Sequence, residues 1–201
     1  MSPRSTWRSF VGATVIVIAW IGAACASSAR PPSVTDAPSS MVAAVQSRAR
    51  PAVIGPAEGE RRLIRGEAPL LIKIDPASTG SEHLVLGSSD LPPGDAIGLH
   101  RHLREDEIIL ITHGTGRLQL GHDHYTVGTG ATVFIPQGTC VSLQNTGTDT
   151  LSNVFVFSGP GFERVLRAVS TAPGEPGRVL TPAERAAAFH EGHAEASPSD
   201  C

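Results

Sequence analysis

The chain has 201 residues, of which 21 are Gly and 16 are Pro, with a charged fraction of 17%. That length holds one domain with a hydrophobic core plus extensions, and the composition favours a turn-rich β protein over a helical bundle. The formal net charge of −3 argues against a nucleic-acid partner, which asks for a basic face.

The N-terminus reads as an export signal. Arg4 and Arg8 precede an apolar run from Phe10 to Ile21, which is short for a membrane span. Gly22-Ala23-Ala24-Cys25-Ala26 comes next and can be cut in two ways. The small residues leading into Cys25 resemble a bacterial lipoprotein box, in which the cysteine becomes the lipidated first residue, although Gly22 stands where such boxes carry Leu. Ala24-Cys25-Ala26 also meets the small-x-small rule of an ordinary signal peptidase. The lipoprotein reading is preferred: residues 1–25 are a leader, Cys25 the lipidation site, and the lipid anchor the sole membrane contact of an exported protein. Loss of Arg4 and Arg8 leaves 14 of the 16 Lys and Arg against 19 acids, a net charge of −5.

Residues 26–60 are rich in Ala, Ser, Pro and Arg without a period of 2 or 3.6, and read as a disordered tether. A short helix over Met41–Ser47 is the alternative; Arg48-Ala49-Arg50-Pro51 would end it. From Arg61 short strands alternate with turn signals. Leu70–Ile74 is closed by Asp75-Pro76, and His83–Leu86 by Gly87-Ser88-Ser89. Glu107–Thr112 and Arg117–Leu120 flank Gly114-Thr115-Gly116, and then come Tyr125–Val127, Thr132–Ile135, Val141–Gln144 and Asn153–Phe157. Strands at this spacing, with no crossover helices, predict an antiparallel sandwich or barrel over residues 61–160 and exclude a doubly wound sheet.

After Gly159-Pro160-Gly161, the spacing of Phe162, Val165, Leu166 and Val169 predicts a short amphipathic helix. Thr181-Pro182-Ala183-Glu184 supplies an N-cap, Pro at the first helical position and an early acid, so a second helix should run to about His190. These make a helical extension over 161–192, and 193–201 reads as a disordered tail with His190 and His193 exposed and idle. Cys140 and Cys201 could pair in an oxidising compartment, but two cysteines are no disulfide scaffold and Cys201 ends the tail. Cys140 is therefore expected to be a small buried thiol.

The chemistry concentrates between Gly94 and Gly114. His100 and His102 are two apart, so a strand projects both imidazoles from one face, and a turn through Arg104, Glu105 and Asp106 returns the chain at Glu107. Two imidazoles and a carboxylate suit a borderline divalent metal such as Fe(II), Mn(II), Ni(II) or Zn(II). Glu105 and Asp106 are expected to be solvated and Arg101 to face the other way. His113 would stand about 20 Å along the strand from Glu107, too far to join the group. His122 and His124 flank Asp123 as exposed turn residues.

Two segments together resemble the cupin family. The first cupin motif is Gly, five residues, His-x-His, three or four residues, Glu, six residues, Gly, and Gly94, His100, His102, Glu107 and Gly114 fill every place. The second is Gly, five residues, Pro-x-Gly, two residues, His, three residues, Asn; Gly130, Pro136, Gly138 and Asn145 fit, while Val141 takes the histidine place. The resemblance implies an all-β, single cupin jelly-roll barrel with short C-terminal helices, and a metal held by the two histidines and the glutamate of the first motif. The Pro-Gly-Phe-Glu segment and the Thr-Pro-Ala-Glu-Arg helix also look like the C-terminal extension of small bacterial cupins of the quercetin-dioxygenase-like type. Cupins span many activities, so the fold does not name the reaction.

Val141 cannot coordinate a metal, and its neighbour Cys140 points to the opposite face of a strand. The candidate ligands are therefore His100, His102 and Glu107, the two-histidine, one-carboxylate set of non-haem Fe(II) oxygenases. The barrel should bind a small organic molecule between Val141, Ile109, Ile111, Leu143, Phe155 and Phe157. Two functions are consistent with this pattern: a metal-dependent dioxygenase, favoured by the intact first motif, or a metal-free binding module, favoured by Val141. Cupins often dimerise through sheet edges, so a homodimer is also expected.

Overall fold

The computed structural model describes residues 49–201. The leader, Cys25, the Met41–Ser47 segment and the tether up to residue 48 lie outside the described residues. The segment 49–60 is tied to the stretch from Lys73 to Thr79: Arg50 N–H donates to Thr79 O (2.9 Å), and Lys73 Nζ donates to Gly55 O (2.7 Å) and Pro56 O (2.8 Å).

The strands are β1 (Glu60–Ile64), β2 (Ala68–Ile74), β3 (Val85–Leu91), β4 (Ala96–His102), β5 (Glu107–His113) and β6 (Thr115–Leu120), then β7 (Asp123–Gly128), β8 (Thr132–Ile135), β9 (Cys140–Asn145) and β10 (Leu151–Phe157). Helix α1 (Phe162–Ala168), β11 (Ser170–Thr171), α2 (Pro182–Glu191) and β12 (Ala194–Ala196) complete the order. They build two antiparallel sheets, one ordered β11-β1-β2-β3-β10-β5-β8 and the other β12-β4-β9-β6-β7. No helix among the described residues is long and apolar enough to cross a membrane.

The alternation that predicted these strands also builds the core. On β10, Leu151, Asn153, Phe155 and Phe157 are buried while the residues between them are half-exposed. One apolar cluster joins Leu91, Ile109, Ile111, Leu118, Val133, Ile135, Val141, Leu143 and Leu151. A second, aromatic cluster joins Leu70, Val85, Phe155, Phe157, Phe162, Val165 and Phe189, where the helices pack on the sheet.

Gly87-Ser88-Ser89 is not a turn, as the sequence suggested, but the middle of β3, paired with Phe155, Val154 and Asn153 of β10. A Cβ at Gly87 would collide with the Phe155 ring and with Leu71 O, so glycine stands there to admit an aromatic ring. Strands β1, β11 and β12 also exceed the expected set. Helix α2 starts as predicted, with a capping box between Thr181 and Glu184 and Pro at the first position. Helix α1 is fastened to the sheet by Arg167, which donates to Glu60 Oε2 (2.6 Å) and to the buried Asp75 Oδ2 (2.5 Å). Burial alone would push the Asp75 carboxyl up, but the Arg167 guanidinium and the Ser78 N–H outweigh it and hold it below the usual range.

The tail is ordered, which corrects the expectation of disorder over 193–201. Strand β12 pairs with β4, with Ala194 opposite His102 and Ala196 opposite His100. Cys140 is not a free thiol: it is disulfide-bonded to Cys201, with their Cα atoms 5.9 Å apart. The β4–β12 pairing brings the last residues back beside β9, a long-range closure that local tail composition does not reveal.

Candidate metal centre and barrel cavity

On β4 the alternation buries His100 and His102 and turns Arg101 outward, where its guanidinium pairs with Glu195 and Asp200 of the C-terminal segment. The chain returns at Glu107, the first residue of β5, also buried. One ligand atom from each of His100, His102 and Glu107 lies within 4.8 Å of the others. This group could hold a metal ion.

Hydrogen bonds prepare the three side chains differently. His100 Nδ1 sits 2.8 Å from Gly98 O, so it carries the proton and leaves Nε2 as a lone-pair donor. His102 Nε2 lies 3.0 Å from Glu107 Oε2. The proton shared by these two is the one a metal would displace. Burial, helped by the neighbouring His102, pushes the His100 imidazole down to about 3, so it is neutral and ready to ligate at ordinary pH. Both rings are covered by Phe162 of α1, whose centroid is 4.3 Å from that of His102, edge-on, and 5.4 Å from that of His100, stacked. Phe157 adds a further ring 5.1 Å from His102.

The group borders a cavity of about 210 Å³. His100 and Glu107 reach its wall, and His102 does not. Of the expected liners, Ile109, Val141, Leu143, Phe155 and Phe157 stand in the wall, whereas Ile111 is packed into the apolar core and is not part of it. Val141 is opposite His100 in the β4–β9 register, so the place of a fourth ligand faces the same site with a methyl surface. Asn145 closes the second motif structurally: its Nδ2 donates to Leu91 O and Asp149 O, each at 2.8 Å.

Several residues beside the site escaped the sequence reading. Phe162 reads as an ordinary helix-face position and Phe189 is not singled out, and only the docking of the helices brings them to the imidazoles. Glu105 is buried at 2% exposure, which corrects the expectation that it is solvated. Its Oε1 lies 3.5 Å from Nδ1 of His193, a half-buried residue that also meets Arg104 and is therefore not idle. Burial pushes the Glu105 carboxyl up, against the opposing pull of His193 and His102. Gly161, at φ +154°, leaves the space this pair needs, since a Cβ there would strike Glu105 Oε1. His122 and His124 are exposed, as expected, and so are His113 and Tyr125.

Residues 87–157 match the sequence model of the Cupin_2 family, described as "Cupin domain". No curated protein matches the chain. Among solved structures, the chain is similar to a predicted oxalate decarboxylase from Thermotoga maritima, at 25% identity and a TM-score of 0.49 over 54% of this chain and 99% of that one. It is also similar to an RmlC-like cupin from Shewanella frigidimarina, at 12% identity and a TM-score of 0.48 over 56% and 94%. KdgF from a Halomonas species is similar at 15% and 0.47 over 54% and 94%. These TM-scores stay below 0.5, so the fold assignment rests on the strands and on the family match. Residues 87–157, which contain the filled first motif, match a cupin domain, and the two antiparallel sheets give the all-β jelly-roll fold.

Proposed function

We propose that this chain is an exported cupin that holds one divalent metal on His100, His102 and Glu107 and oxidises a small organic molecule in the barrel cavity, as a dioxygenase of the quercetin-dioxygenase-like type. The observation that carries this reading is the convergence of the three ligand atoms, within 4.8 Å of one another, beside a mostly apolar cavity whose wall His100 and Glu107 reach. Three protein ligands leave coordination positions open, and a bound redox-active ion such as Fe(II) would supply Lewis acidity and electron transfer to O₂ there. The chain's own part is to present neutral His100 Nε2, to hold Glu107 beside His102, and to exclude water with Phe157 and Phe162. The Cys140–Cys201 disulfide supports export, since such bonds persist in oxidising compartments. Lipidation at Cys25 is part of the same proposal.

Metal analysis tests the reading. Purified protein incubated with Fe(II), Mn(II), Ni(II) or Zn(II) and then desalted should retain close to one equivalent of at least one of them. The His100→Ala/His102→Ala variant should retain almost none. A second reading, a metal-free small-molecule-binding module, is favoured by Val141 in the ligand place and by Phe162 packed on both imidazoles. Sub-stoichiometric metal that the double substitution leaves unchanged would decide for that module.

A further inference from the structure

Asn153 is out of place in the wall of the cavity. It shares the inward face of β10 with Leu151, Phe155 and Phe157, and its side chain is 1% exposed. Its Nδ2 donates to Ser89 Oγ (2.9 Å) and Ser89 O (3.3 Å), across the register pair Asn153–Ser89. A carbonyl oxygen can only accept, so the contact with Ser89 O fixes which end of the amide is the NH₂. The Oδ1 is left buried with no partner among the protein groups. Such an orphaned acceptor is costly, whereas a leucine at this position would have met the apolar surroundings without penalty. Both Asn153 and Ser89 line the cavity that His100 and Glu107 border at another part of its wall.

The spacing adds a length. Glu107 is opposite Phe157 in the β5–β10 register, and Asn153 is four residues further along β10. Four strand residues span about 13 Å, with Phe155 between. An apolar stretch of the wall therefore separates Asn153 from His100 and Glu107.

We infer that Asn153 Oδ1 is the acceptor for a ligand hydroxyl, and that the cavity takes an elongated apolar molecule carrying such a donor at the end remote from His100 and Glu107. The inference rests on the reading of the cavity as a small-molecule site. It does not depend on the metal.

The test uses metal-free full-length protein and two probes of one shape, 2-naphthol and 2-methoxynaphthalene, titrated calorimetrically. The naphthol should bind about ten-fold more tightly than its methyl ether, the worth of one hydrogen bond. Asn153→Leu should abolish that preference while leaving the ether's affinity within about two-fold, and Asn153→Asp, which keeps an acceptor, should preserve it. Thermal unfolding of both variants reports whether each is folded. Equal binding of the two probes to the wild type, or a preference that survives Asn153→Leu, overturns the assignment of Asn153 while the cavity still stands as a binding site. Failure of both probes to bind overturns the cavity reading and the assignment with it.

Discussion

His100 shows how burial prepares a ligand. Removed from water and facing His102, its imidazole has a pKa of about 3 in the folded chain, against 6.5 ordinarily. Between those values the unfolded chain binds a proton that the folded chain refuses, so stability is full above pH 6.5 and falls as the pH drops toward 3. The loss is at most about 1.4 kcal/mol per pH unit. Urea unfolding of metal-free protein between pH 7 and 4 should show this slope, and His100→Gln should flatten it relative to wild type. The same slope in both proteins would mean that the charged form of His100 is tolerated in the fold. Asp75, whose folded value is depressed, loses stability in the same direction in both proteins, at lower pH, and so cancels in the comparison.

At the scale of elements, the C-terminal segment is what the sequence pattern understated. Strand β12 is only three residues long, yet it pairs with the strand bearing both histidines, and the disulfide from β9 anchors the residues beyond it. Arg101 adds bonds to Glu195 (2.6 Å) and Asp200 (2.8 Å). A covalent link across a separation of 61 residues restricts the unfolded chain by roughly 4 kcal/mol. Reduction with dithiothreitol, or Cys201→Ser, should therefore lower the unfolding free energy by about 2–4 kcal/mol. It should also speed amide exchange across residues 194–201 before the rest of the barrel. No change in the melting temperature under reductant would show that the bond contributes nothing to holding the tail. Helix α2, by contrast, was fully legible: its capping box is a local device, readable from Thr181 and Glu184 alone.

At the scale of the whole molecule, an apolar area lies on the outside of the sheets among the described residues. Ile108 and Leu110 of β5 are 43% and 39% exposed, and Phe134, which faces Ile108 in the register, is 57% exposed on the edge strand β8. An uncovered edge strand with large apolar side chains favours association, and this supports the proposal that two copies pair there. Sedimentation of the wild type should then give a dimer, and Phe134→Lys a monomer of unchanged circular dichroism. A monomeric wild type at concentrations of about 100 µM, above typical dimer dissociation constants, would remove the proposal.

The motif from Gly94 to Gly114 needed only local rules. Alternation places His100 and His102 on one face and a four-residue connection returns the chain at Glu107, whereas the jelly roll is implied by the resemblance of this segment, with Gly130, Pro136 and Gly138, to the two cupin motifs. The succession of strands along the chain, the inward parity of Val141, Phe155 and Phe157, and the second helix came from the same local information. What lies across from a given face is a different kind of fact. That Phe162 covers both imidazoles, that Glu105 is buried against His193, that Cys201 meets Cys140, and that Asn153 Oδ1 is left without a partner are all decided by segments distant in the chain. Periodicity tells a side chain which way to point, but burial and pairing depend on what the rest of the chain brings to meet it, and in this protein the C-terminal helices and tail bring several of those partners.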